Sequence, residues 1–320
     1  MRRPFPNSPA ATICRKLAVA AAIIAALGLF AGMLGRYAWP LDLFSHFRVQ
    51  YALLFAASAV VLLILRRRLS ALLSLSGAVF SAVPLFAYIG LPAKPAEARS
   101  ADFRLVSFNV FFRNEQYPRI AKYLEDTRAD VIVLQELNAA RAMQLQPLLP
   151  SFPHMYIEPS RYGAVVFSRW PMAVAETIPL TPEGARAAHV VLDWHGAAIG
   201  VLGLHLHWPL GPRNSRLRNR ELSGLAAYAQ TQQGPLLIAG DFNITPWSTH
   251  FQETVQRSGL SDCALGLGVE PSWPAPLPLL GIRIDHCLAS KHWRSVAVST
   301  GPYVGSDHRP LIADLQLPRQ

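Results

Sequence analysis

Three long apolar runs occupy the first hundred residues of the chain. The first run, 17–35, contains 19 residues without a charge, and as an α-helix it would be about 28 Å long, enough to cross a bilayer core. The second run, 49–65, ends at three consecutive arginines. The third, 69–91, contains Pro84, which membrane helices tolerate. The pattern predicts three transmembrane helices.

Two other interpretations of these runs are open. Run 17–35 follows Arg15 and Lys16 and is rich in alanine, which is typical of a cleaved signal peptide. Runs 49–65 and 69–91 would also suit a buried helical hairpin of a soluble domain. We favour three spans, because the first run is longer than the apolar part of a usual signal peptide and two further runs follow it.

Basic residues are placed unevenly around the three runs. Arg2, Arg3, Arg15 and Lys16 lie at or before the start of the first run, and 66–68 are three arginines between the second and third. Because loops rich in Lys and Arg stay in the cytoplasm, this pattern predicts a cytoplasmic N-terminus. Three spans then place the rest of the chain on the other side, which in a bacterium means a multi-pass protein of the cell inner membrane with a periplasmic C-terminal domain.

The formal net charge of +10 is concentrated in this N-terminal part. Residues 1–100 contain 11 Lys or Arg and 2 Asp or Glu, whereas residues 101–320 contain 19 and 18. The C-terminal part is therefore nearly neutral, and its charge does not favour strong nonspecific binding to nucleic acid.

A different pattern begins after a linker rich in proline at 92–100. Short apolar runs of strand type alternate with turns, and two amphipathic stretches, 117–128 and 218–230, predict helices. The predicted strands are 103–110, 131–134, 164–167, 190–192, 198–204, 236–239, 284–288 and 311–315. Many short strands with few helices predict an α/β layered fold with two packed sheets. We therefore divide the chain into a membrane anchor, 1–100, and a second domain, 101–320.

Polar residues stand at the ends of these predicted strands more often than packing requires. Six short motifs share this placement: Ser107 to Asn109, Gln135 and Glu136, His205 to His207, Gly240 to Asn243, Ile284 to His286, and Ser306 to His308. Each motif alone would also suit an ordinary turn or a core histidine. Together they predict one cleft, in which carboxylate and amide oxygens bind a hard cation such as Mg²⁺ and histidines move protons.

The order and wording of these motifs resemble the endonuclease/exonuclease/phosphatase superfamily, which includes deoxyribonuclease I, from Asp102 to about Leu317. The resemblance implies a four-layer sandwich of two mixed β-sheets flanked by helices. It also implies that Glu136, Asn109 and Asp307 are ligands of Mg²⁺ or Mn²⁺.

The resemblance implies the catalytic residues as well. His308 would be the general base, oriented by Asp285, a pairing in which a carboxylate fixes the tautomer of the ring. Asp241 and Asn243 would position the attacking water and the phosphate or a second metal. His205 would bind the phosphate or act on the leaving-group side.

Further residues have roles that the motifs leave open. Arg161 or Tyr162 would contact the substrate phosphate, and His207 either supports the site or is exposed. The arginines between 213 and 220 either meet an anionic substrate or form a solvated helix face. Cys263 and Cys287 either pair, if the domain lies outside the cytoplasm, or remain free thiols.

The sequence thus predicts a membrane-anchored, metal-dependent phosphoesterase. Its substrate would be a nucleic acid, a phospholipid head group or a soluble phosphate ester, and its only other partner would be the bilayer. The alternative is a catalytically inactive binding or sensing module of the same fold, but none of the expected site residues is missing from the motifs. A transporter is disfavoured, since no ionisable residue lies inside the spans.

Overall fold

The structure, a computed structural model, describes residues 8–89, 101–160, 163–277 and 280–318. The chain divides into two compact units. The helical unit is Met1–Ala87 with Trp247–Thr249, and the sheet unit is Tyr88–Pro246 with His250–Gln320. The expected linker, 92–100, lies outside the described residues.

From residue 8 onward, where the structure describes it, the helical unit has four α-helices: α1 (Pro9–Met33), α2 (Trp39–Ser45), α3 (Arg48–Ile64) and α4 (Arg68–Ala82), the last continued by a 3-10 turn at Val83–Ala87. Helix α1 begins where the Ser8 side chain accepts a hydrogen bond from the Ala11 N–H. Pro9–Met33 and Arg68–Ala87 are long and apolar enough to cross a membrane. The number of such segments rises to three if α2 and α3, bent by 59° at their junction, form one span.

Small residues form many of the contacts between these helices, together with Leu29, Tyr51, Phe55 and Leu62, and most other large apolar residues point outward. The buried positions include Ala18, Ala25, Gly28, Ser58, Ala71 and Ser74. A Cβ atom on Gly28 would lie 2.5 Å from the Tyr51 hydroxyl, so a larger residue on α1 at this position would displace the end of the Tyr51 side chain of α3. Leu17, Leu63 and Leu73 are each more than 60% exposed. This distribution reverses that of a soluble bundle and is typical of helices that face lipid.

Among its described residues, the sheet unit contains twelve strands and four α-helices. The strands are β1 (Phe103–Asn109), β2 (Val131–Gln135), β3 (His154–Ile157), β4 (Ala164–Ser168), β5 (Met172–Pro179), β6 (Arg186–Trp194), β7 (Ala197–His205), β8 (Leu236–Asp241), β9 (Ser261–Asp262), β10 (Asp285–Ala289), β11 (Arg294–Thr300) and β12 (Leu311–Gln316). The helices are α5 (Tyr117–Asp126), α6 (Ala139–Leu145), α7 (Pro212–Thr231) and α8 (Thr249–Ser258).

These strands form two six-stranded mixed sheets, with the orders β11-β12-β1-β2-β4-β3 and β5-β6-β7-β8-β10-β9. Strand β1 is parallel to β2, and β7 is parallel to β8. The sheets pack face to face through their central strands, where a Cβ atom on Gly203 of β7 would lie 2.7 Å from Val133 of β2. Absence of a side chain at Gly203 therefore lets the sheets approach closely.

Helices cover both outer faces of the sheet pair. On the first sheet, Ile120 and Leu124 of α5 join Phe108 and Ile132 in one buried cluster. On the second sheet, a separate buried cluster combines residues of α7 and α8 with strand residues: Leu222, Leu225, Phe251, Leu202 and Ile238. The order of layers is helix, sheet, sheet, helix, so the four-layer sandwich expected from the sequence is confirmed.

Candidate active site

One rim of the sheet pair collects the polar residues that end the apolar runs. Asn109 ends β1 and Glu136 follows β2, while His205 ends β7 and Asp241 ends β8. Strand β10 runs antiparallel to β8, so its first residue, Asp285, lies directly opposite Asp241. Within each sheet, parallel strands end at the same edge, and β10 starts at that edge of the second sheet. The distance of 3.0 Å from Asn109 Nδ2 to Asp241 Oδ2 shows that the edges of the two sheets meet, so five of the six motifs converge.

The sixth motif precedes β12 and brings His308 into contact with Asp285. His308 Nδ1 lies 2.8 Å from Asp285 Oδ2, and both side chains are buried. Burial disfavours the imidazolium ion, but the charges of Asp285 and Asp241 outweigh it and raise the pKa of His308 to about 10. With Nδ1 held by a carboxylate, the other ring nitrogen, Nε2, faces the rest of the site.

Asp241 lies at the centre of the cluster. Its Oδ2 atom is 3.6 Å from His308 Nε2 and 3.7 Å from His205 Nε2, so two imidazole rings face one carboxylate oxygen. Oδ1 accepts a hydrogen bond of 2.8 Å from the Asn243 N–H. Burial raises the pKa of Asp241, while the nearby His308 acts in the opposite direction. The charge of Asp241 therefore depends on the charge of the neighbouring His308.

Asn109 connects Glu136 to this centre. Its Nδ2 atom lies 3.0 Å from Glu136 Oε1 and 3.0 Å from Asp241 Oδ2. Oδ1 of Asn109 accepts the Phe111 N–H at 3.0 Å and keeps a second lone pair. Glu136 has a positive φ of 61°, and its Oε2 accepts the Phe112 N–H at 2.9 Å. These backbone donors orient both side chains.

Asp307 approaches from the loop that carries His308. Its Oδ2 atom accepts the indole N–H of Trp273 at 3.1 Å. The neighbouring Ser306 hydroxyl donates to the Asn109 carbonyl at 2.6 Å, and it accepts the His308 N–H at 3.0 Å. Ser306 thus links the end of β1 to the loop that carries His308, a role that its position in the SerAspHis motif did not reveal.

Two buried residues of α7 support the site: Arg218, whose role the sequence left open between a substrate contact and a solvated helix face, and Glu221, which the motifs did not identify. Arg218 is 1% exposed and donates from Nη1 to the Asn243 carbonyl at 3.2 Å, so it is neither on a solvated face nor a free substrate contact. Glu221, also buried, accepts the His207 N–H at 3.0 Å and lies 2.5 Å from His207 Nδ1. This hydrogen bond to Glu221 raises the pKa of His207. Because Glu221 holds both its backbone and its ring, His207 supports the rim.

The donor set at this rim fits a divalent cation. Glu136, Asp241, Asp285 and Asp307 place four carboxylates around two histidines, and such a cluster repels a phosphate ester unless a cation offsets its charge. Among the described residues, Asp241, Asp285 and His308 offer ligand atoms within 4.8 Å of one another. The buried Oδ1 atom of Asp285 has no hydrogen-bond partner in the same part of the chain. The expected phosphate contacts, Arg161 and Tyr162, lie outside the described residues.

A four-layer sandwich with acids and histidines on one rim defines a class of hydrolases that act on phosphate esters. The model of the Endonuclease/Exonuclease/phosphatase family matches residues 106–308. The chain therefore belongs to that family, and the resemblance inferred from its motifs is confirmed. A comparison with curated proteins found no match.

Solved structures of similar fold cover most of the sheet unit. An endonuclease/exonuclease/phosphatase from Beutenbergia cavernae is 22% identical with a TM-score of 0.59, and the match covers 68% of this chain and 72% of that one. A mannosyl-6-phosphatase from Bacteroides thetaiotaomicron is 15% identical with a TM-score of 0.55, over 67% and 99%. A humanized D. rerio TDP2 is 17% identical with a TM-score of 0.55, over 67% and 98%. At these identities, the matches establish the fold.

Proposed function

We propose that the chain is a membrane-anchored phosphoesterase that depends on a divalent metal and hydrolyses a phosphodiester or phosphomonoester. Residues 1–100 form the anchor and 101–320 the catalytic domain. The observation that carries this proposal is the contact of 2.8 Å between His308 Nδ1 and Asp285 Oδ2, directed at a carboxylate cluster on the rim. Helices long and apolar enough to cross a membrane support the anchor.

The metal ligands in this proposal are Glu136, Asn109 and Asp307. When bound, Mg²⁺ or Mn²⁺ would neutralise the phosphate oxygens and the carboxylates around them. Asn109 orients Glu136 through their hydrogen bond of 3.0 Å, and Trp273 orients Asp307 through its indole N–H. The oxygen donors of these residues are those that hard cations prefer.

The proton transfers belong to the chain's own side chains. Asp285 accepts the Nδ1 proton of His308. A divalent cation bound beside these carboxylates would offset the negative charge that raises the pKa of His308, so that Nε2 would take a proton from water attacking in line with the leaving group. Asp241 and Asn243 position this water and the phosphate. His205, on the other side of Asp241 Oδ2, contacts the phosphate or the leaving group. No covalent intermediate forms in this scheme.

A panel of phosphate esters tests the proposal on the full chain in detergent. We expect hydrolysis with Mg²⁺ or Mn²⁺, loss of activity in EDTA and recovery when metal is restored. His308→Ala should lower turnover by about 10²-fold or more, since it removes the base. Adding Asp285→Asn to His308→Ala should cost little more, because the two residues act as one unit.

Asp126→Asn is the matched control for these variants. Asp126 pairs with Lys122 on the exposed face of α5, and its replacement should leave the rate unchanged. Metal-independent hydrolysis, or additive losses in the double variant, would contradict the proposed mechanism.

A further inference from the structure

The large apolar side chains that the sheet unit exposes are concentrated on the loops around the site. Six of eleven such residues in the described part of the unit lie on three loops that lead from site residues: Trp208 and Leu210 after β7, Trp273, Leu277 and Leu280 before β10, and Tyr303 before the SerAspHis motif. The other five are Ile89, Met143, Leu148, Val174 and Leu265. We call Trp208, Leu210, Trp273 and Leu277 the apolar rim.

The two loops that carry the apolar rim begin beside the site residues. Trp208 follows His205 by three residues, and His205 Nε2 lies 3.7 Å from Asp241 Oδ2. Trp273 donates its indole N–H to Asp307, and the Ala275 N–H donates to the Asp307 carbonyl at 2.7 Å. Both loops therefore begin within a few residues of the groups that would act on the phosphate.

Exposure of these residues is costly for a protein surrounded by water. Trp208 is 59% exposed, Leu210 52% and Leu277 55%. Contact of these apolar side chains with water is unfavourable, and their transfer into an apolar environment would lower the free energy. Several large apolar side chains exposed on the loops beside a polar centre often mark a place where an apolar partner binds. Tryptophan in particular is enriched at the boundary between lipid and water.

We infer that the substrate is an amphiphilic phosphate ester held in a lipid bilayer, with the apolar rim entering the bilayer surface while the phosphate reaches the site. This inference rests on the proposed function. An anchored enzyme meets bilayer substrates at a high effective concentration. Arg213, Arg216 and Arg220 are exposed on α7 directly after Leu210, and they would attract anionic head groups.

Single-stranded nucleic acid is the other polymer that exposed aromatic side chains and arginines bind. Stacking on bases requires aromatic rings, however, and Leu210, Leu277 and Leu280 are aliphatic side chains with exposures of 52%, 55% and 60%. The near neutrality of residues 101–320 also disfavours a polyanion. The apolar rim therefore fits lipid better than bases.

The reaction is a hydrolysis and needs no partner other than water. The oxygen of water forms a bond to phosphorus, the P–O bond to one part of the lipid breaks, and the leaving oxygen takes up a proton. The products are a phosphate-bearing fragment and an alcohol, one of which remains in the bilayer.

The test measures hydrolysis of three substrates by the full chain in the presence of Mg²⁺. One is vesicles of phosphatidylethanolamine, phosphatidylglycerol and phosphatidic acid, the second is soluble bis(4-nitrophenyl) phosphate, and the third is a single-stranded oligonucleotide. Mass spectrometry follows the lipid products. The variants are Trp208→Ser with Leu210→Ser, and Leu277→Ser, with Val174→Ser on the edge strand β5 as the matched control.

The expected result is hydrolysis of a vesicle lipid that falls about tenfold or more in the rim variants, while the soluble ester is cleaved at the unchanged rate. Val174→Ser should match the parent chain on every substrate. The inference is overturned if the soluble ester is cleaved but no lipid is, if both rates fall together, or if the oligonucleotide is the better substrate. The proposed function itself fails only if no ester is hydrolysed.

Discussion

Two buried histidines of the sheet unit show that the partner of an imidazole ring, and not burial alone, determines its charge. His308 is buried next to Asp285 and Asp241, and these carboxylates raise its pKa to about 10 against the effect of burial. His286 is buried between the rings of Phe242 and Phe251, where burial, followed by the charge of Arg283, lowers its pKa to about 3. His286 is therefore neutral at physiological pH, and its Nε2–H donates to the Ile244 carbonyl at 2.7 Å.

The depressed pKa of His286 predicts a loss of stability in acid. The unfolded chain binds a proton at His286 below about pH 6.5, whereas the folded chain does so only near pH 3. The free energy of unfolding therefore falls as the pH drops from about 6.5 to about 3. The limiting slope is about 1.4 kcal/mol per pH unit. Denaturant titrations followed by tryptophan fluorescence should show a shallower slope for His286→Gln.

His154→Gln, at a partly exposed histidine of β3, is the control and should retain the slope of the parent chain. If His286→Gln kept the full slope as well, other groups would be responsible for the acid sensitivity. The slope is the relevant quantity, because His286→Gln also removes ring contacts and lowers stability at every pH.

At the scale of elements, the sequence predicted the central strands and missed those at the sheet edges. Strands β2, β4, β8 and β10 are buried at every position and therefore stand out as apolar runs. Strand β5 is exposed along most of its length and β9 has two residues, so neither gives a strong pattern. Helix α7 begins at Pro212, six residues before its predicted start, because its first turn is polar.

The same reasoning explains which site residues were predictable. Polar residues at strand ends can be recognised from the chain, since the end of an apolar run marks the rim. Arg218 and Glu221 lie in the middle of a helix rich in charge, and only the packing of α7 against the rim distinguishes them from its exposed Arg216 and Arg220. The sequence does not contain that information in local form.

The pairing of β9 with β10 predicts a disulfide bond. Cys263 and Cys287 are buried free thiols with their Sγ atoms 2.7 Å apart, and the Cys263 N–H donates to the Cys287 carbonyl at 2.9 Å. In an oxidising compartment, exchange with a disulfide oxidoreductase would oxidise this pair and stabilise the folded state by about 3 kcal/mol. Alkylation of the denatured, unreduced chain followed by mass spectrometry should then label Cys14 alone.

Cys263→Ser serves as the control, because it leaves Cys287 without a partner and open to alkylation. Labelling of all three cysteines in the parent chain, isolated from its native membrane without reductant, would show that the pair stays reduced. That result would also argue against a catalytic domain outside the cytoplasm.

For the whole molecule, the distribution of charge predicts its orientation in the membrane. The basic residues before the first span and at 66–68 favour a cytoplasmic N-terminus, and three spans then place residues 101–320 on the opposite side. In a bacterial host, an alkaline phosphatase fusion at Gln320 should be active and a green fluorescent protein fusion there should be dark. Fluorescence without phosphatase activity would mean that the orientation is reversed or that the number of spans is even.

The central claim for the molecule is that its rim binds a catalytic metal through Glu136 and uses Asp285 only to orient His308. The alternative is that Asp285 is itself a ligand, since its Oδ1 atom is buried without a partner among the described residues and it lies in the Asp241, Asp285 and His308 cluster. A metal ligand needs its negative charge to bind the cation, whereas an orienting residue uses that charge to hold the His308 ring.

Hydrolysis rates of Glu136→Gln and Asp285→Asn, measured over a range of Mg²⁺ concentrations, separate these roles most directly. Glu136→Gln should raise the Mg²⁺ concentration for half-maximal activity about tenfold or more, because the lost charge binds a hard cation. Asp285→Asn should leave that concentration unchanged while turnover falls by about 10³-fold, as expected when a histidine base loses its carboxylate partner. An equal shift of the Mg²⁺ requirement in both variants would contradict the account and make Asp285 a metal ligand.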